Sequence, residues 1–239
     1  MRYRLRTLLI MFAVMAAVLG PLTERYRARH TALEVLNRND CDVLFSHDTV
    51  SPRPPLSKPM ALFASVKSIH FLDKGPSDET LEAVLCLSEV SEVSICNADV
   101  SPETVAVLAR LPRLKEVRLG WCRLQEGAVA ALQACKTVEE VNLEYSKVSP
   151  ADCRALAEIK SLRTVWLYGS TATDEGVLAL VNLPSLSRVD VSVDGITQKG
   201  IEQLLACTRL EHLTSYGDNF SDEWWTKLKA KYPNCRFHR

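Results

Sequence analysis

Most signatures of chemistry are missing from this sequence. Glycine and proline number 9 and 11 in 239 residues, too few for a collagen-like or linker-dominated chain. The formal net charge is zero, with 29 basic against 29 acidic side chains, so nothing draws the whole chain to nucleic acid and no nucleic-acid partner is expected. No glycine-rich phosphate loop, paired metal-ligand motif or nucleophile elbow occurs, so no cofactor, metal ligand, catalytic residue or enzymatic activity is expected. Of the histidines His30, His47, His70, His212 and His238, only the last two fall on adjacent turns of the repeat described below. Neither has a cysteine or carboxylate placed to complete a triad, and solvated imidazoles are the expectation. Among the eight cysteines, Cys135 and Cys207 share a repeat position but lie three turns apart, about 14 Å, beyond disulfide reach. Buried free thiols are expected instead.

What the sequence has is a repeat. Ile69, Val93, Val117, Val141, Val165, Val189, Leu213 and Phe237 are spaced by 24 residues. Val66, Val90, Leu114, Val138, Leu162, Leu186 and Leu210 keep the same phase three residues earlier, and Phe71, Ile95, Leu119, Leu143, Leu167 and Val191 two residues later, with Ser215 the first lapse. The second half of the unit carries two further columns. One runs Leu81, Val105, Val129, Cys153, Val177, Ile201 and Trp225, the other Val84, Leu108, Leu132, Leu156, Leu180, Leu204 and Leu228. Alternation followed by three-residue spacing predicts strand, turn and helix in every unit. Ser77, Ser101, Ser149, Thr173, Thr197 and Ser221 stand where a hydroxyl caps a helix start, and acids such as Asp78, Glu103 and Asp174 follow in the first turn.

The run Leu114-Lys-Glu-Val117-Arg-Leu119-Gly-Trp-Cys122-Arg-Leu124 resembles the leucine-rich repeat, L-x-x-L-x-L-x-x-N/C-x-L, and the resemblance covers about residues 66–239. Cys122, Ser146, Ser170, Asp194 and Asp218 occupy the usual Asn/Cys position, while Lys74 and Ala98 depart from it. The resemblance implies an α/β solenoid with a curved parallel sheet on the concave side and helices on the convex side. Stacking then buries a core that no single unit closes alone. Trp224, Trp225, Tyr232 and Phe237 are expected to plug the C-terminal end.

Strand residues between the core columns would face the concave side. Glu92, Glu116 and Glu140 form one acidic column with Arg118 beside it, and Glu144, Trp121, Tyr145, Trp166, Tyr168 and Tyr216 lie close by. Aromatics on a surface that composition would fill with polar residues point to a binding patch, and their mutual packing to brace the loops is the alternative. The expected partner is a protein whose basic or arginine-bearing segment meets the acids and rings. The reading is an interaction module that binds through its concave face. Its rivals are a structural spacer in an envelope assembly and, from another class, a subunit of an enzyme.

Before the repeats stands a basic leader. Residues 1–30 hold six arginines against Glu24 alone, which leaves the rest acidic by about five charges. Between Arg6 and Glu24 runs an uncharged stretch from Thr7 to Leu22, which spans about 24 Å as a helix, short of a roughly 30 Å hydrocarbon core. Snorkelling arginines at both ends would make up the difference. A single-span anchor is expected, with a cleaved secretory signal and a buried helix as alternatives. Arg2, Arg4 and Arg6 before the span balance Arg25, Arg27 and Arg29 after it, so charge assigns the repeats to neither side. Leu5-Arg-Thr-Leu-Leu9 and the basic stretch that follows also resemble the leader of membrane-anchored planctomycete leucine-rich-repeat proteins. The expected domains are an anchor at 1–22, a juxtamembrane helix, linker and cap at 23–65, and the repeats at 66–239. Within 23–65, residues 25–37 read as a helix, 43–45 as a strand and 51–58 as a proline-rich loop. The full chain is expected to stay with membranes through a carbonate wash, and residues 23–239 alone to remain soluble. Recovery of the full-length product as soluble protein with a new N-terminus near residue 21 would contradict the anchor.

Overall fold

The computed structural model describes residues 5–45, 65–192, 194–207, 209–217 and 220–238. The proline-rich stretch at 51–58 and Asp218 lie outside them. The chain opens with helix α1 (Leu5–Arg38) and strand β1 (Asp42–Phe45), then enters the repeats at β2 (Val66–Leu72). Helix α2 (Asp78–Leu85), strand β3 (Glu92–Cys96), a short strand β4 (Asp99–Val100) and helix α3 (Pro102–Leu108) follow. The middle of the chain holds β5 (Glu116–Gly120), β6 (Arg123–Leu124), α4 (Ala128–Ala131), β7 (Glu140–Asn142), α5 (Pro150–Ala157) and β8 (Thr164–Leu167). The last units are α6 (Asp174–Ala179), β9 (Arg188–Ser192), α7 (Gln198–Cys207), β10 (His212–Tyr216), α8 (Asp222–Lys231) and β11 (Arg236–His238).

One nine-stranded sheet, in the order β1-β2-β3-β5-β7-β8-β9-β10-β11, runs the length of the repeats. From β2 onward every pairing is parallel, and each residue faces the one 24 positions on, as in Val93 with Val117 or Leu213 with Phe237. The helices stack on one another along the other layer. All five apolar columns point between the layers. Val117, Leu114, Leu119, Leu132, Leu156 and Val177 have no measurable exposure, and Phe237 at the last strand is only half-buried.

Helix starts follow the cap column where a serine stands in it. Ser77, Ser101, Ser149 and Ser221 accept the backbone N–H of Thr80, Thr104, Asp152 and Trp224, and Asp152 closes a capping box on Ser149. Thr173 makes no such bond at the start of α6. Gln125 stands in the column before α4, and that helix is only four residues long and starts behind left-handed Gly127 instead.

Two ends close differently. At the first, α1 buries Ala32, Leu33 and Leu36 and packs on α2, and β1 extends the sheet antiparallel to β2. Ion pairs Arg29–Glu89 and Arg38–Glu79 tie the helix to the first repeat. Pro21 lies inside one continuous helix that carries residues 7–22 and 25–37 together. Among the described residues, no helix is long and apolar enough to cross a membrane. At the other end Trp225 is buried against Trp224 and Phe237, with ring centroids 4.8 and 6.1 Å away.

A second column explains the turn after each strand. Asp73, Asn97, Trp121, Tyr145 and Gly169 stand 24 residues apart, and all have φ between 54° and 64°. There the backbone bends while its N–H still reaches the neighbouring turn. Asn97, Trp121 and Tyr145 donate to the carbonyls of Gly120, Glu144 and Tyr168 at 3.2, 2.9 and 2.9 Å. Gly169 is required twice over, since a Cβ there would stand 2.5 Å from the Tyr145 ring. One position later, Cys122 Sγ and Ser146 Oγ donate to the Ile95 and Leu119 carbonyls at 3.2 and 2.7 Å, and Ser146 Oγ accepts the Cys122 N–H. Ala98 has no side-chain donor for that ladder and is simply buried.

The thiols divide. Cys41, Cys122, Cys135, Cys153 and Cys235 are buried and free, and burial pushes the Cys153 thiol up to about 12. Cys86 is exposed and Cys96 half-buried, against the expectation.

Truncating Leu156 to alanine is expected to cost about 2–5 kcal/mol in denaturant unfolding, and Lys160→Ala less than about 0.5 kcal/mol. Equal midpoints would mean the columns are misassigned. Ser215 takes the place of an apolar residue in the core, is fully buried, and its hydroxyl has no partner among the described residues. Ser215→Val is therefore expected to raise stability by about 1 kcal/mol, and a lower midpoint would show that the hydroxyl is satisfied.

Candidate binding face

Side chains that alternate with the core columns line the open face of the sheet, and the 24-residue register sets them in rows. Glu92, Glu116 and Glu140 are direct neighbours on β3, β5 and β7. At the roughly 4.8 Å strand spacing such a row is self-repelling. Arg118 relieves it from the next row. Its Nε donates to Glu116 Oε1 at 2.6 Å, and its Nη1 lies 3.0 Å from Glu92 Oε1. Burial alone would lower the guanidinium, but Glu116 and Glu92 more than offset this and raise its pKa. The side chains of Glu92 and Glu116 are 11% and 18% exposed, so this is a closed triad rather than an open acidic strip. Glu140 takes no ion pair among the described residues, and burial followed by the charge of Glu116 raises its pKa.

Glu144 sits just beyond β7, one row over. Its backbone N–H donates to Asn142 Oδ1 and its Oε2 accepts from Asn142 Nδ2, both at 2.9 Å. The amide fixes the carboxylate without neutralising it.

The aromatic residues join into a run. Trp121 stacks on Tyr145 with ring centroids 3.9 Å apart and planes 15° from parallel. Tyr145 meets Tyr168 edge-on at 5.0 Å, and Tyr168 reaches Tyr216 at 4.3 Å across the smaller Ser192. A hydrogen bond with Tyr168 pushes the Tyr145 hydroxyl up to about 12. Trp121 is nevertheless 61% exposed, and Tyr145 and Tyr216 are each 39% exposed. Both Trp121 and Tyr145 stand in the left-handed column, where a bulky residue costs about 1–2 kcal/mol. A stacked pair returns about 0.5–1.5 kcal/mol. The fold therefore gains little or nothing from having aromatics there.

Beside the run is a cavity of about 460 Å³, with Gly120, Trp121, Glu144 and Trp166 among its lining. Gly120, one of its lining residues, leaves its position in the row empty. A Cβ there would touch only the Glu144 carbonyl, at an ordinary 3.7 Å. His70 also lines it, and burial lowers the imidazole pKa below its usual value, so it is neutral at pH 7. Among the described residues no group of three or more His, Cys, Asp or Glu is placed to hold a metal ion. His212 and His238 face each other with parallel rings 6.4 Å apart.

All ten residues singled out from sequence lie on or at the rim of this face. Glu92, Glu116 and Arg118 form the triad, Trp121, Tyr145, Tyr168 and Tyr216 the run, and Glu144 and Trp166 the cavity wall, while Glu140 stands alone. Gly120, Asn142 and Asp190 fall in the same concave rows by the repeat register but were not among the residues singled out. Asp190 is 8% exposed between Trp166 and Thr214, with Oδ1 unpaired among the described residues. An acid beside a tryptophan in one row was the signal for it, and a glycine in a row of side chains the signal for the cavity.

No family model matches the chain, and no curated protein matches it. Among solved structures it is similar to an internalin C2 from Listeria monocytogenes, with 13% identity over 87% of this chain and 81% of that one, at a TM-score of 0.51. An internalin from the same species (inlF) overlays 59% of this chain and 37% of its own at 18% identity and a TM-score of 0.38. A TLR13–ssRNA13 complex overlays 62% and 25% at 18% identity and 0.45. The internalin C2 likeness shows the fold: this chain is a leucine-rich-repeat solenoid.

Proposed function

We propose that this protein is a membrane-anchored interaction module that takes a segment of a protein partner across its concave face, without catalysing a reaction. The observation that carries the reading is the exposed pair Trp121 and Tyr145, held at left-handed positions where Asn, Asp or Gly serve the backbone better. Strain kept at an exposed site is the usual mark of function. Among the described residues Glu140 and Glu144 take no ion pair, which favours a basic segment over an acidic one and disfavours nucleic acid. The anchor at 7–22 rests on its uncharged composition between two arginine clusters and on its place in the helix that docks on the first repeat. An inert spacer would have no reason to keep strained, exposed rings.

The test uses full-length protein as bait for detergent-solubilised membranes of its native cells. A partner is expected to be retained equally by wild type and by the convex-face variant Lys160→Ala. The pair Trp121→Asn and Tyr145→Asn is expected to lose it at least about tenfold, as removal of one or two interface anchors does. Equal retention by the aromatic variant would reject the concave-face reading.

A further inference from the structure

We infer that the cavity beside Trp121 is a socket for the guanidinium of a single arginine in the bound segment, an inference that rests on the concave face being the protein-binding surface. Three features select the occupant. The first is an acceptor that is both charged and already oriented: Asn142 clamps Glu144 through its backbone N–H and Oε2, and no basic side chain pairs with this carboxylate among the described residues. Arg118 and Glu116 also line the cavity, but the Arg118 guanidinium is already paired with Glu116 and Glu92, and His70 is neutral, so Glu144 leaves the socket with a net negative charge at pH 7.

The second is a pair of indole rings. Trp121 and Trp166 both line the cavity. A guanidinium is planar and weakly hydrated, so it stacks on indole faces while its N–H fork meets a carboxylate, whereas an ammonium is a compact, strongly hydrated point charge. Rings of this kind discriminate between the two cations.

The third is depth. Gly120 leaves the floor open as backbone between Cys96 and Glu144, and the cavity's volume of about 460 Å³ falls within the roughly 300–1,000 Å³ of ordinary ligand pockets. Glycine is not needed here for backbone conformation, since Gly120 is an ordinary strand residue and left-handed φ begins at Trp121. Its missing side chain has a use only if something enters the space.

The socket is tested by selecting random dodecapeptides on the full-length protein in detergent and then editing the tightest binder. Enriched peptides are expected to share an arginine. Replacing it by citrulline, which keeps the shape but removes the charge, is expected to weaken binding by about tenfold or more, and replacing it by lysine to recover only part. On the protein side, Glu144→Gln is expected to weaken the arginine peptide by a similar factor and leave the citrulline peptide little changed, and Gly120→Val, which fills the space, to weaken both. Unchanged melting temperatures would show that both variants are folded. Peptides that depend on Trp121 but tolerate citrulline would overturn the socket and leave the concave-face reading standing. If no peptide depends on Trp121, both fall together.

Discussion

Parallel backbone pairing at a fixed offset of 24 residues is the constraint from which the rest follows. Because Val93 pairs with Val117 and Val117 with Val141, every side chain is stacked on its counterpart one turn away. Apolar columns then merge into one core that no single repeat completes. The same rule acts on the open face, where it has no preference for what it lines up. It stacks three glutamates as readily as three valines, and the fold must answer each row with chemistry. Arg118 answers the glutamates.

The register also ends each strand in the same way, with a left-handed residue whose N–H reaches the next turn. Asp73, Asn97 and Gly169 suit that backbone, whereas Trp121 and Tyr145 do not. The two aromatics lie in adjacent turns and stack on each other, and Trp121 lines the cavity beside Gly120. Strain, exposure and an empty row position converge on the middle of the solenoid. That is where a long, shallow face gains the most contact with an extended partner.

The repeats were legible because their signal is redundant. Val117 or Leu156 alone says little, but columns of eight and seven residues in phase fix strand, helix and core together. The rows of the concave face followed from the same arithmetic, so the sequence also showed which residues would be neighbours. It did not show how the neighbours would interact. Three glutamates beside one arginine read as a row with a single compensating cation, and Arg118 closes on two of them, a matter of side-chain reach. The cavity was missed because Gly120 is an absence. Nor does a column of residues announce that its backbone is left-handed, so the cost of Trp121 was invisible until φ was known.

The claim at the centre of this account is that the rings at the strand ends serve recognition and not the fold. Thermal unfolding of Trp121→Asn in the full chain, without partner, measures it directly. Relief of the left-handed strain and loss of one stacked pair nearly cancel, so the melting temperature should stay within about 3 °C of wild type, the shift that about 1 kcal/mol produces in a domain of this size. A fall of roughly 8 °C or more would show that Trp121 braces the turns, and would contradict its assignment to a binding surface.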